Sequence, residues 1–407
     1  MSSAPLAELR VLELGSMIAG PFCGRLLADF GAEVIKVEPI AGDPLRATGP
    51  AQDGKSLYAA SAQRNKHLVA IDLATGEGQR VVKSLAAKCD VVVENFRPGT
   101  LERWGLGYDA LAECNAGLIL LRISGFGQTG GGSRRPGYGV IGEALSGLRG
   151  LMGERNQPPP RMAVPLTDYI TGLYGAFGVL AAIQARNKTG RGQVIDLALF
   201  EAAFSFMEAH VPAFSNLGIV AERAGSKIPD YVPNDLFPAR DGYVHIAAVS
   251  QGLFRRLAEL MDRPDLPTDP SFATSASRAA NEAALTTLIA SWTAQYTEAE
   301  LEEKLVAAEI PASRIHSIKT IFEHPLYRER EMLVELPDPN LGKVTVPGIV
   351  PKLSETPGTI KWAGRDVGAD TARVLGSLAA LSPEEIQSLA DAGVVRTTAG
   401  KRADKEL

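Results

Sequence analysis

"LRVLELGSMIAGPFCGRLLADFGAEVIKVEP", residues 9–39, decides the fold. "VLEL" is an apolar run of strand length, and Gly15 and Gly20 bracket a loop. Pro21 stands where the first turn of a helix tolerates it, Leu26 and Leu27 turn inward, and "AEVIKVE" supplies the next strand. Working outward, "HLVAIDL", "DVVVENF" and "GLILLRISGFG" add three more strand patterns, separated by helical patterns near residues 76–88 and 109–114. Strands alternating with helices predict an α/β fold, a parallel sheet covered on both faces.

Residues 161–215 then read as two long helical patterns joined by "NKTGRGQVIDLA", with Gly190 as the stop signal. In the first of them Gly172, Gly175 and Gly178 recur at every third position. Each glycine costs a helix about 1 kcal/mol against alanine, so a neighbour packed close against the backbone is the expected compensation. Composition shifts near 215–235, "SNLGIVAERAGSKIPDYVPNDLF", as at a linker. Residues 225–320 read as a smaller α+β domain, with a strand in "DGYVHIAAV" and a capping box at Thr297 and Glu300. "LVELPDPNLGKVTVPGIVPKLS" holds two strand-like runs. A last helix starts at Ser382 with Pro383 and Glu385 and ends at Gly393, after which the charged tail "KRADKEL" is expected to fray.

At 407 residues the chain exceeds what one core usually holds, and 45% hydrophobic with 22% charged residues is ordinary globular composition. A net charge of −5 argues against a nucleic-acid binder. Cys23, Cys89 and Cys114 form no CxxC, and the five histidines lack zinc-ligand spacing. The longest uninterrupted apolar run, Gly172 to Ile183, is too short for a bilayer, and "MSSAPLAELR" lacks the pattern of a signal peptide. A cytoplasmic enzyme, neither membrane-bound nor built on a metal, is the expectation.

The chemistry points to "RMAVPLTDYITGLYGAFGVLAAIQARNKTG", residues 161–190, where Asp168 heads an otherwise apolar helix. One reading is an N-cap. The other is a carboxylate kept ionised in a dry place by the helix N–H groups, ready to attack. Other sites compete. "GSMIAG" puts Met17 where a dinucleotide fingerprint needs its second glycine. "SGFGQTGGGSRRPGYG", residues 124–139, is either an anion-binding loop or a surface connection, and it is not followed by the Lys-Ser/Thr of a Walker loop. Arg64, Lys66, Arg97 and Arg103 lie near strand ends, where a phosphate-bearing ligand or plain solvent would suit them, with Phe96 able to stack on a base. The G-x-S-x-G elbow of the hydrolases is missing.

Together with the opening unit, "NKHLVAIDL", "VVVENFRPGTLERWGLGYD", "ISGFGQTG", "RPGYG", "LTDYITGLYGAFGVLAAI" and "KTGRGQVIDLALFEAA" resemble the class III CoA-transferases. That family includes formyl-CoA and carnitine CoA-transferases and the α-methylacyl-CoA racemases. The resemblance keeps the order and spacing of every block over nearly the whole chain. It implies a discontinuous Rossmann-like large domain, residues 1–215 and 325–407, and a small domain at 225–320, with linkers at 215–225 and 320–330. It also implies an interlocked homodimer.

By position, Asp168 matches the family's nucleophile. That carboxylate attacks an acyl-CoA to give a mixed anhydride. The released CoA thiolate then attacks the anhydride, leaving an aspartyl-CoA thioester and a free acid, and the acceptor acid reverses the sequence. Thioester energy is conserved throughout. CoA is therefore a substrate, not a permanently bound cofactor. The matching CoA positions are Ile18, Ile71, Asp72, Leu73, Ala74, Asn95, Phe96, Arg97, Arg103, Pro136, Gly137, Tyr138 and Gly139. The family's oxyanion glycines have no matched counterpart. Tyr138 replaces the histidine of the racemase members, and a phenol titrates too high for that role. Transfer is expected, with racemisation and non-catalytic CoA binding as alternatives. Ile18 and Pro39 stand where formyl-type members carry Gln and Arg. Arg46 and Arg161 are candidates to grip a second carboxylate, which makes succinyl-CoA with a dicarboxylic acid the expected substrate pair.

Overall fold

The apolar runs become strands buried on both faces. The computed structural model describes residues 4–398, so the tail read as frayed lies outside the described residues. The chain divides into two units: Met1–Leu148, Met162–Pro212 and Arg328–Leu407 form the first, and Arg149–Arg161 with Ala213–Tyr327 the second. Residues 149–161, read from sequence as part of the large domain, fall in the second unit, where Gly153 bridges Gly225.

In the first unit, β1 (Arg10–Glu13), α1 (Ala19–Asp29), β2 (Glu33–Glu38), α2 (Leu57–Ala62), β3 (Lys66–Ile71), α3 (Gly76–Ala86), β4 (Val91–Glu94) and β5 (Ile119–Ser124) follow the predicted alternation. Then come α4 (Gly139–Leu145), α5 (Leu166–Thr189), β6 (Val194–Ala198) and α6 (Leu199–Phe204). The returning chain adds the hairpin β7 (Leu333–Asp338) and β8 (Gly342–Pro347), then α7 (Thr371–Leu378), α8 (Pro383–Asp391) and β9 (Val395–Arg396). The sheet order is β9-β3-β2-β1-β4-β5-β6, parallel except for β9. Leaving β9 aside, this is the order of a doubly wound nucleotide-type sheet, and its direction reverses between β1 and β4.

Strand periodicity sends alternate residues to two cores. Val11, Val34, Val93, Ile119 and Leu121 pack with Cys23, Leu27 and Val179 from α1 and α5. Leu12, Ile35, Val69, Val92 and Leu120 pack with Val82 of α3 and Val374 of α7. "VIDLA", read as part of a connection between long helices, is the sixth parallel strand, and the helical pattern after it breaks into short pieces. β-Branched and alternating residues at an edge there override helical content. The glycines of α5 do admit a close neighbour: a Cβ at Gly172 would stand 2.7 Å from the Ala19 carbonyl, and one at Gly175 2.9 Å from Leu121. α5 runs beyond the apolar segment seen in sequence to 24 residues, long and apolar enough by composition to cross a bilayer, yet it lays one face on α1 and the sheet.

The second unit holds a three-stranded antiparallel sheet of Asn234–Pro238, Tyr243–Ala247 and Ala312–Arg314. Helices Gln251–Leu260, Glu282–Thr293 and Glu298–Ala307 surround it, with Phe237, Ile246, Phe254, Ile289 and Leu301 at the centre. The Thr297–Glu300 and Ser382–Glu385 capping boxes both form.

Candidate active site

Asp168 lies half-buried in the first turn of α5, but it is not the cap. Pro165 is the N-cap and makes no side-chain bond, which puts Asp168 at the third helical position. An anion there still meets the positive end of the helix dipole. Its carboxylate lies against the backbone of Gly139, the first residue of α4: a Cβ added to Gly139 would collide with Asp168 Oδ2 and come within 2.8 Å of its Cγ. Glycine is therefore the residue that lets this carboxylate sit against the start of a helix. Gly139 is itself buried, whereas its neighbour Tyr138 is 75% exposed. Pro136 and Gly137 lead into this turn, and a Cβ on Gly125 would stand 3.0 Å from Gly137 Cα, so the two strands of the glycine-rich loop touch through backbone.

Tyr169, next along the helix, shares a 2.7 Å hydrogen bond between phenols with Tyr58 of α2. Burial, the bond to Tyr169 and the negative charge of Asp168 all raise the Tyr58 pKa. Neither tyrosine was singled out from sequence, although Tyr169 adjoins Asp168 there. Together with Met17, Ile18, Phe22 and Arg25 they line a cavity of about 200 Å³.

Of the expected CoA positions, Ile18, Asp72 to Ala74 and Asn95 to Arg97 follow the carboxyl ends of β1, β3 and β4, whereas Pro136 to Gly139 come after β5. Ile18 is the N-cap of α1. Ile71 closes β3 and is buried. Asp72 turns the chain after it by accepting the Ala74 N–H, and Leu73 packs on the core. Asn95 is engaged twice by Ser16, accepting its N–H and donating to its carbonyl, both at 2.8 Å. It clamps the β1–α1 loop, in which Met17 takes a left-handed backbone with φ 65°. Phe96 stands edge-on to Trp104, Arg97 is exposed, and Arg103 is exposed with one bond to Thr100.

Three basic residues are already paired within the fold. Arg46 grips Glu38 with both arms of its guanidinium at 2.8 Å and donates to the Arg365 carbonyl, so it is not spare for a substrate carboxylate. Arg161 is exposed and falls in the second unit. Arg64 is buried, forked onto Asp29 at 3.0 and 2.6 Å. Lys66 is buried between Glu13, at 2.8 Å, and the Pro21 carbonyl, at 2.7 Å. Of the four basic residues read at strand ends, Arg97 and Arg103 are left on the surface.

Comparison with known proteins agrees with this architecture. The model of CoA-transferase family III matches residues 6–371. A succinyl-CoA–D-citramalate CoA-transferase of Chloroflexus aurantiacus is 42% identical over 388 residues, covering 95% of this chain and 96% of that protein. The human succinyl-CoA:glutarate CoA-transferase is 33% identical, over 96% of this chain and 90% of its own. The crystal structure of a CAIB/BAIF family protein from Brucella suis superposes with a TM-score of 0.84 at 32% identity, over 93% of this chain and all of that one. With a family match over most of its length and a sheet of the right order beneath it, this chain belongs to CoA-transferase family III and is a CoA-transferase.

Proposed function

We propose that the enzyme moves CoA from succinyl-CoA to a four- to six-carbon dicarboxylic acid, with Asp168 as the acyl carrier. The observation that carries this reading is the seating of the Asp168 carboxylate against Gly139. The two relatives described above, named for succinyl-CoA with D-citramalate and with glutarate, support the choice of acids. Asp168 attacks the thioester carbonyl of succinyl-CoA, expelling the CoA thiolate and forming a succinyl–aspartyl anhydride. The thiolate adds to the aspartyl carbonyl and succinate leaves, giving the aspartyl-CoA thioester. The acceptor carboxylate attacks that thioester, and the thiolate then takes the new acyl group and restores Asp168. Every bond broken is replaced by one of similar energy. CoA lies along the carboxyl ends of β1, β3 and β4, its adenosine end towards the exposed Arg97 and Arg103. Tyr138 at the mouth, where the racemases carry an imidazole, speaks for transfer.

The working form is a homodimer. Ile141, Leu145, Leu173, Phe177, Leu180 and Phe204 of α4, α5 and α6 are large, apolar and 40–69% exposed, and a second chain would cover a surface of this kind. Native mass spectrometry after mixing with succinyl-CoA tests the reading. A two-chain species carrying a hydroxylamine-sensitive CoA adduct is expected. Asp168→Asn is expected to lose the adduct and at least about 10⁴-fold in turnover, as removing a covalent nucleophile does. An adduct that survives this substitution would refute it.

A further inference from the structure

Arg25 has the environment of a ligand-binding cation. It lies on α1, one turn past Pro21 and Phe22, with its side chain 16% exposed. The guanidinium sits 4.5 Å over the Phe22 ring, and its Nε is buried without a hydrogen bond. The nearest carboxylate oxygen is Asp29 Oδ2, at 3.9 Å, beyond hydrogen-bond reach. That carboxylate already accepts both arms of Arg64 and the side-chain amide of Asn65. Arg25 therefore carries a nearly buried charge whose neighbouring anion is satisfied by others. Such a charge is costly unless something else answers it.

The space beside it has a definite shape. The cavity of about 200 Å³ is lined by Ile18, Phe22, Tyr58, Tyr169 and Pro347 together with Arg25. The lining is mostly apolar and holds one guanidinium, Arg25, and two phenols. Tyr169 stacks edge-on against Phe22 at 4.8 Å and is the residue after Asp168. The Tyr58 phenol feels the charges of both Asp168 and Arg25. Burial and the nearby Arg64 push the Arg25 pKa down to about 10, the direction expected of a cation short of an anion.

We infer that Arg25 binds the distal carboxylate of the dicarboxylic acyl group in this cavity, while the reacting carboxyl or thioester faces Asp168. The carbon chain lies against the apolar lining, and its length is read by the distance between the guanidinium and the nucleophile. A monocarboxylic acyl group would leave the cation unanswered. This rests on the proposed dicarboxylate reading and adds to it the residue that selects the diacid.

The test compares labelled succinate with succinamate, whose distal carboxylate is an amide, as acceptors from succinyl-CoA. Because both acceptors face the same donor, the ratio of their kcat/KM values isolates the distal group. The wild type is expected to favour succinate by at least about 30-fold, the low end for losing one partner of a buried hydrogen-bonded charge pair. Arg25→Gln is expected to bring that ratio below about threefold, mainly through KM, at a little-changed melting temperature. Arg25→Lys keeps the charge without the fork and is expected to give an intermediate ratio. If Arg25→Gln does not fold, Arg25→Lys decides. A wild-type preference that persists undiminished in the substituted enzyme overturns the role of Arg25 and leaves the dicarboxylate reading standing. A wild type indifferent between the two acids, or inactive with succinyl-CoA, overturns that reading and this inference with it.

Discussion

Arg25 and Arg64 approach the same carboxylate, Asp29, and are treated in opposite ways. Arg64 holds it through two hydrogen bonds and reaches the Pro347 carbonyl with its remaining arm, while Arg25 stays 3.9 Å off with Nε unbonded. The contrast extends across the first unit. Beneath β1, Glu13, Lys36, Asp43 and Lys66 form a buried chain in which each charge has an opposite neighbour: Lys36 lies 2.8 Å from Asp43 and 3.4 Å from Glu13, and Lys66 2.8 Å from Glu13. Charges of this first kind answer one another inside the fold, so their cations have no capacity left for a ligand. A guanidinium of the second kind has that capacity. Which kind a basic residue belongs to depends on its neighbours, and a count of arginines in the sequence does not distinguish them.

The sharpest way to break the comparison is to remove one member of the closed network. In Lys66→Met, Glu13 keeps Lys36, at 3.4 Å, and loses its closer partner inside the core. Breaking a buried pair by removing one partner costs about 3–5 kcal/mol. Urea unfolding is expected to show a loss of that order, against little change for Arg25→Gln. Equal losses in the two variants would mean that Arg25 is structural as well.

The next effect falls on activity rather than stability. In Gly139→Ala the new methyl would occupy the place of the Asp168 carboxylate, which would have to move aside. The fold is expected to survive while the proposed nucleophile is displaced. A drop of about 100-fold in kcat is expected, in line with a misplacement of about 1 Å at a reacting group. The melting temperature is expected to move by no more than a few degrees. Unchanged turnover would show that the carboxylate does not react from this position.

Much of the architecture was legible because it rests on local rules. Strand runs, capping boxes at Thr297 and Ser382, and the close approach at Gly172 all follow from periodicity, side-chain oxygens and small residues. What failed did so where tertiary partners decide. "VIDLA" is a strand because β5 lies alongside it, and Arg46 is structural because Glu38 lies at its fork. Arg25 gave one sequence signal, a charge one turn after Phe22 on the side of α1 that also carries Asp29. Reading it required knowing that Arg64, from another element, takes the aspartate first. Of the two readings of Asp168, the N-cap fails: Pro165 takes that position, because proline preceding a first turn can itself occupy the cap.

The smallest effect concerns pH and the closed side of the comparison. Asp370 stands buried at the N-cap position of α7 without a side-chain bond to the helix, accepting instead the Leu68 N–H and the guanidinium groups of Arg365 and Arg373. Burial works against its ionisation, but His67, 3.6 Å away, the Leu68 N–H and Arg365 outweigh it and hold the carboxyl at about 2, below its ordinary value of 3.8. A carboxyl with a depressed native pKa stabilises the fold above its unfolded pKa, and that contribution disappears as pH falls through the native one. A shift of this size is worth about 2 kcal/mol, present in full above about pH 5 and lost progressively towards pH 2. Urea unfolding of the wild type and Asp370→Asn across that range checks it. The two stabilities are expected to differ by about this amount at neutral pH and to converge in acid. A gap that stays constant down to pH 2 would mean that Asp370 contributes through shape and that its charge is not one the fold depends on.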